Sequence, residues 1–179
     1  MGITALFKDE DILRQLHTDR ELIEEQIIKI LEYVGEEFIK KARARVTETI
    51  YERTVYDKDG NERERESWEL TGNLRSSIGY FVLKDGDVIS QKFQDNPAGK
   101  EAAEKLLDEI PNKTGLQLIV VAGMNYASYV ESKGFDVITT SADLAIVSLD
   151  RKLKELQDML NKRGANVEFS IENAVSAIL

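Results

Sequence analysis

Apolar residues recur at helical spacing from the first fifth of the chain. Ile23, Ile27, Ile30, Val34 and Phe38 fall three or four apart, and Leu31 and Ala42 widen the stripe. Glu24, Glu25, Glu36, Glu37, Lys40 and Lys41 fill much of the remaining surface. The spacing predicts a long amphipathic helix over roughly 19–48. Thr18-Asp19-Arg20-Glu21 reads as a capping box, in which the Thr18 hydroxyl accepts from the Glu21 amide and the Glu21 carboxylate reaches back. The helix is therefore expected to begin there, with a shorter helix around 9–16 before it.

At Tyr51 the pattern changes. "YERTVYDKDGNERERE" places charges on both faces of two extended arms around Asp59-Gly60, a dipeptide that favours a tight hairpin turn. It reads either as a solvated loop or as an arm that orders against a neighbouring subunit. Ile78–Leu83 and Val88–Phe93 then predict a second hairpin across Asp85-Gly86, and Gly99–Ile110 a short helix ended by Pro111. "LQLIVVAG", Leu116 to Gly123, is a β-branched run with the character of a central strand. Asn125 is placed to cap a helix from Tyr126 to Lys133, with Gly134 as a left-handed stop. Ser141 or Asp143 starts another helix, in which Ile146, Leu149, Leu153, Leu156 and Leu160 form a stripe that packs on the sheet, and Arg163-Gly164 ends it. The tail, with Ile171, Val175, Ile178 and Leu179, carries one more apolar stripe that is expected to dock.

These elements predict an α+β fold: a long N-terminal amphipathic helix on a small, mainly antiparallel sheet, with further helices after the central strand. Residues 1–179 are expected to form one domain, with 51–67 a projecting charged hairpin or flexible arm and 165–179 a C-terminal docking segment.

Charge narrows the function. Of 179 residues, 32% are charged and 42% hydrophobic, and the formal net charge is −9. Wrapping nucleic acid requires a cationic face, so no specific nucleic-acid binding is expected. An acidic surface does suit a protein that lets DNA pass without holding it. The absence of cysteine excludes disulfides, thiolate metal sites and cysteine nucleophiles. No apolar run approaches the ~20 residues that span a membrane. Met1-Gly2-Ile3-Thr4-Ala5-Leu6 has neither the basic start of a signal peptide nor a myristoylation pattern, so synthesis in the cytosol is expected.

Candidate chemistry is sparse. His17 is the only histidine, so a catalytic triad or a histidine-based metal site would be hard to build. Gly99-Lys100 lacks the glycine at position 94 and the following Ser or Thr of a phosphate loop. Glu131-Ser132-Lys133 has the Glu-x-Lys spacing of magnesium-dependent nucleases, with Asp108 or Glu109 as a second carboxylate. That chemistry needs both residues on one face of a strand, and here they fall in a predicted helix. "DKDGNERERE" resembles half of a calcium loop, but starting at Asp57 puts Glu62 where glycine belongs and Trp68 where the last glutamate belongs. No cofactor, metal or enzymatic activity is expected.

The stretch "ESWELTGNLRSSIGYFV" asks for another explanation, because a charged arm ends abruptly in the only tryptophan, Trp68. Trp68 and Leu70 are suited to pin the foot of the arm, Thr71 to cap a short helical turn, and Gly72 to let the chain bend. Leu74 and Ile78, four apart, would anchor that turn on the sheet while Arg75 points away. In the second segment Tyr126, Tyr129 and Val130 would share one face of a short helix, and Ala127 would permit close approach. Trp68, Arg75, Tyr126, Tyr129 and Glu131 are thus candidate subunit contacts. Thr71, Gly72, Leu74, Ile78, Gly123, Ala127, Val130 and Gly134 are candidate structural positions.

"LTGNLRSSI" and "VVAGMNYASYVESKG" stand behind the long helix in the order and approximate separation of one family. Over roughly residues 19–160 the chain resembles the tail-completion, or minor tail component, proteins that join head and tail in long-tailed bacteriophages. The resemblance implies a structural protein of the virion that acts around the DNA channel, with further copies of itself in a ring and neighbouring neck or tail proteins as partners. Ring formation would need a head-to-tail interface that closes. From another class, a soluble protein-interaction adaptor outside any virion would share only the fold.

Overall fold

The computed structural model describes residues 9–52, 54–65, 71–94, 96–110, 114–124, 126–170 and 175–178, with the backbone alone for 9–15 and 175–178. Helix α1 (Asp9–Val46) runs for 38 residues, about 57 Å at 1.5 Å per residue. There is no break at Thr18: the predicted short helix and long helix are one, and the capping box lies in its interior. The helix ends in a π-helical turn, Thr47–Tyr51. At that point Thr47 and Thr49 donate their hydroxyls to the carbonyls of Arg43 and Arg45, at 2.8 and 2.7 Å, in competition with the backbone amides.

The arm begins in this turn. Its described part holds one antiparallel bridge, Tyr56 to Glu62, around a turn capped by Asp57. Arg65 fastens its returning strand by donating to the Ile50 carbonyl at 2.8 Å.

A short helix, α2 (Asn73–Ser77), leads directly into strand β1 (Ile78–Lys84). Strand β2 (Asp87–Lys92) returns antiparallel through Asp85 and Gly86, whose φ values of 50° and 94° suit a two-residue hairpin turn. Helix α3 (Pro97–Asp108) starts two residues before the expected glycine, because Asn96 caps it by accepting from the Gly99 amide at 2.9 Å. Strand β3 (Leu116–Ala122) pairs antiparallel with β1, and α4 (Ala127–Ser132) and α5 (Thr139–Lys162) follow. Strand β4 (Val175–Ile178) then adds to β3 in parallel, giving the order β2-β1-β3-β4. The expected docking of the tail is thus a fourth strand, while 171–174 and Leu179 lie outside the described residues. The α+β architecture is as read from the pattern.

Strands β1 and β3 are buried on both faces, whereas β2 is largely exposed. Tyr80, Val82, Leu118, Val120 and Ala122 point to the side covered by α1 and α5. Phe81, Leu83, Ile119 and Val121 point to the other side, under Ala103 and Leu107 of α3. Two-sided burial explains why β3 reads as an unbroken apolar run rather than an alternation. On α5 the core-facing residues are Ala142, Ala145, Leu149, Leu153 and Leu156. Ile146, expected in that stripe, is 40% exposed, because the buried row runs through Ala142, Ala145 and Leu149 and Ile146 stands one residue, about 100°, round the helix from Ala145. Among the described residues no helix is long and apolar enough to cross a membrane.

Helix α1 crosses the sheet at Gly35. A Cβ there would lie 2.7 Å from the Tyr80 ring, which is itself 97% buried and has nowhere to move. One residue on, Glu36 receives Lys92 of β2 at 2.5 Å and the Tyr80 hydroxyl at 3.5 Å. Burial, with Glu36 and Glu32 nearby, pushes that hydroxyl up to about 12. Replacing Gly35 by alanine sets two effects against each other. Helix propensity favours alanine by about 1 kcal/mol, and overpacking a fixed core costs about 1–3 kcal/mol. The clash is expected to win, so Gly35→Ala should lower the denaturant midpoint in urea, whereas propensity alone would raise it.

Candidate functional site at the joint of the two motifs

The two motif segments, far apart in sequence, form one joint. Helix α2 delivers the chain into β1 and β3 delivers it into α4, with Ile78 paired to Ala122 and the Gly123 amide donating to the Ser77 carbonyl at 3.3 Å. Leu74, Ile78, Ala127 and Val130 are all buried in one cluster with the foot of α1. Gly123 is forced by this packing: a Cβ would meet the Gly99 carbonyl of α3 at 2.0 Å. Asn96 adds a tie from the same helix, donating to the Asn73 carbonyl at 3.1 Å and the Ser76 hydroxyl at 2.8 Å.

The cap of α2 differs from expectation. Gly72, not Thr71, occupies the N-cap position, in the left-handed conformation (φ 68°) that a glycine takes without strain. The Thr71 hydroxyl meets the Asn73 amide only at 3.5 Å. Two tyrosines stand close to the next amides. Burial raises the Tyr51 hydroxyl above its ordinary range, against hydrogen bonds from the backbone of Arg75 and Leu74. Burial and the neighbouring Tyr51 raise Tyr126 likewise, against hydrogen bonds from Thr71 and the Leu74 backbone. A five-residue helix is too short to hold itself, and here Tyr51 and Tyr126, from two other elements, stand against its first turn.

Arg75 is exposed, yet it does not simply point away. Its guanidinium lies 5.8 Å from the centre of the Tyr51 ring and 3.4 Å from the Thr47 hydroxyl. Arg43 comes up beside it and donates to the Ile78 carbonyl at 2.7 Å, and burial together with the Arg75 charge lowers the Arg43 pKa. The joint is therefore a cationic and aromatic corner on an acidic chain.

Helix α4 divides its side chains. Tyr126 and Val130 face the core, whereas Tyr129 is 62% exposed and carries the Lys133 ammonium 5.1 Å from its ring centre. The expected common face of Tyr126, Tyr129 and Val130 is thus split. Glu131, expected at a subunit contact, works within its own chain: its carboxylate accepts from the amides of Val137 and Ile138 at 2.6 and 3.3 Å and fixes the turn into α5. Gly134, at φ 85°, ends α4 as expected. Trp68 and the Asn125 cap lie outside the described residues, and Tyr126 holds the N-cap position of α4.

Four participants escaped the sequence reading. Tyr51 continues the α1 stripe one turn past Val46 and Ile50, but was assigned to the arm. Asn96 was hidden because α3 was started at Gly99. Arg45 and Asp136 form an ion pair at 2.6 Å that ties α1 to the loop before α5. Asp136 also accepts from the Thr140 amide at 3.0 Å, from two residues ahead of the N-cap Ile138, a spacing outside the usual capping pattern.

The carboxylates that suggested metal chemistry are engaged elsewhere. Asp57 receives the amides of Asp59 and Asn61 at 2.9 and 2.8 Å, and the bond from Asn61 foremost holds its carboxyl below the usual range. Among the described residues no group of three His, Asp or Glu side chains is gathered closely enough to hold a metal ion. Comparison of the chain with protein-family models, curated proteins and solved structures found no match. The functional reading rests on the residues themselves and their placement.

Burial alone would raise the Asp136 carboxyl, but hydrogen bonds from Thr140 and the Arg45 guanidinium hold it below its ordinary value. A lowered folded-state value adds stability that is fully present above the unfolded value and lost as pH falls through the folded one. Asp136→Asn should therefore destabilise by about 1 kcal/mol at pH 7, discounted for a partly exposed pair. Denaturant curves of variant and parent should begin to draw together as pH falls below about 4 and meet only below the lowered folded value.

Proposed function

We propose that this chain is a structural assembly protein of the head–tail junction of a long-tailed bacteriophage. It acts through protein–protein contacts around the DNA channel, with copies of itself and neighbouring neck or tail proteins as partners, and its place is in the virion. The observation that carries this reading is the joint: the two segments whose pairing defines the resemblance fold into one unit at the foot of the long helix. Buried cap and core positions occupy most of that unit, as suits a scaffold that presents a surface. The net charge of −9 supports passage of DNA without retention.

Disruption of the gene in its phage tests the proposal directly. Electron microscopy of the lysate should show DNA-filled heads and unattached tails, with whole virions restored by a plasmid copy. Whole virions at normal yield without the gene would overturn the proposal.

The reading is also non-enzymatic. Supercoiled plasmid incubated with the purified chain and Mg²⁺ should remain intact. Cleavage abolished by replacing Glu131 and Lys133 with alanine would make the chain a nuclease instead.

A further inference from the structure

A cleft of about 480 Å³ opens between the arm and α4. Ile50, Val55, Val130 and Phe135 give it an apolar lining, and Tyr56 and Tyr129 stand at it 60% and 62% exposed. Among the described residues its only charged lining side chains are the cations Arg63 and Lys133, on a chain whose net charge is −9. An occupant that suits it is apolar at its centre and acidic at its flank.

The chain carries such a surface. At the start of α5, Leu144 is 43% exposed and Val147 67% exposed, one turn apart, with the exposed acid Asp143 beside them. They lie on the side of the helix away from Ala142, Ala145 and Leu149, which are buried against α1 and the sheet. With that inner side fixed, the strip faces outward and cannot turn into the cleft of its own molecule.

We propose that the cleft receives this strip from a second copy of the chain, with Val147 and Leu144 over the apolar lining and Asp143 toward Lys133. Cleft and strip are different surfaces, so the contact is heterologous: each subunit gives a strip to one neighbour and a cleft to the other. The inference names the surfaces for the self-association in the proposed function, and it does not depend on the role in the virion.

Light scattering and sedimentation velocity over about 1 μM to 1 mM test it. The wild-type mass should rise in steps of one subunit or settle at a closed oligomer. Val147→Asp and Lys133→Glu should each weaken association at least ~10-fold, since one puts a charge on the apolar lining and the other sets like charges together. The exchange Lys133→Glu with Asp143→Lys should bring it back to within ~3-fold of wild type. All three positions are exposed, and thermal melts should show the variants folded. A wild type that stays monomeric throughout, an unchanged Val147→Asp, or an exchange no better than Lys133→Glu alone would each overturn the pairing. Any of these would leave the gene-disruption result to decide the virion role, and whole virions without the gene would leave the pairing intact.

Discussion

The contact between Gly35 and the Tyr80 ring sets the distance between the long helix and the sheet. Any side chain at position 35 would hold α1 off, and the buried face of β1 and β3 would lose its cover. Because the helix comes that close, Val34 and Phe38 reach the interior on either side of the crossing, and Glu36 can take Lys92 and the Tyr80 hydroxyl together. The Glu36–Lys92 ion pair is half exposed and adds little by itself. The work of holding the layers falls to apolar burial, at roughly 1.5–3 kcal/mol for each large side chain fully removed from water.

From that crossing the helix carries its foot to the joint. The short helices α2 and α4 have too few residues to persist alone, and each is held by what surrounds it. Asn96 donates to the Asn73 carbonyl and the Ser76 hydroxyl of α2, and Glu131 accepts from the turn that leaves α4. Polar groups at the joint thus satisfy backbone that no regular element satisfies. The motif residues that looked like surface contacts divide into half-buried ones, such as Tyr126, and exposed ones, such as Tyr129.

How far the fold was legible follows from which signals are local. The stripe from Ile23 to Phe38 and the run from Leu116 to Ala122 are periodic or continuous, and both elements stand where the pattern put them. Element starts were less legible. The Thr18 capping box was a true local signal overruled by a helix that already ran through it. α5 was placed late because its first core-facing residues are Ser141, Ala142 and Ala145, which carry little hydrophobic signal. At the joint, Leu74, Ile78, Ala127 and Val130 were readable as anchors from their spacing. The bonds made by Arg43 and Asn96 and the Arg45–Asp136 pair were not, because each partner comes from a segment distant in sequence.

The last strand in the chain sits beside one of its most deeply buried. β4 joins β3 only after the chain has passed through α4 and α5, whereas β1 meets β2 across the tight turn at Asp85 and Gly86. It pairs through four residues and lies at the edge of the sheet, with β3 as its one neighbouring strand. β1 and β3, paired over seven residues and covered by α1 and α5, carry the buried interior. The folded protein thus sets its last strand as an outer margin, on the side of the sheet opposite β2.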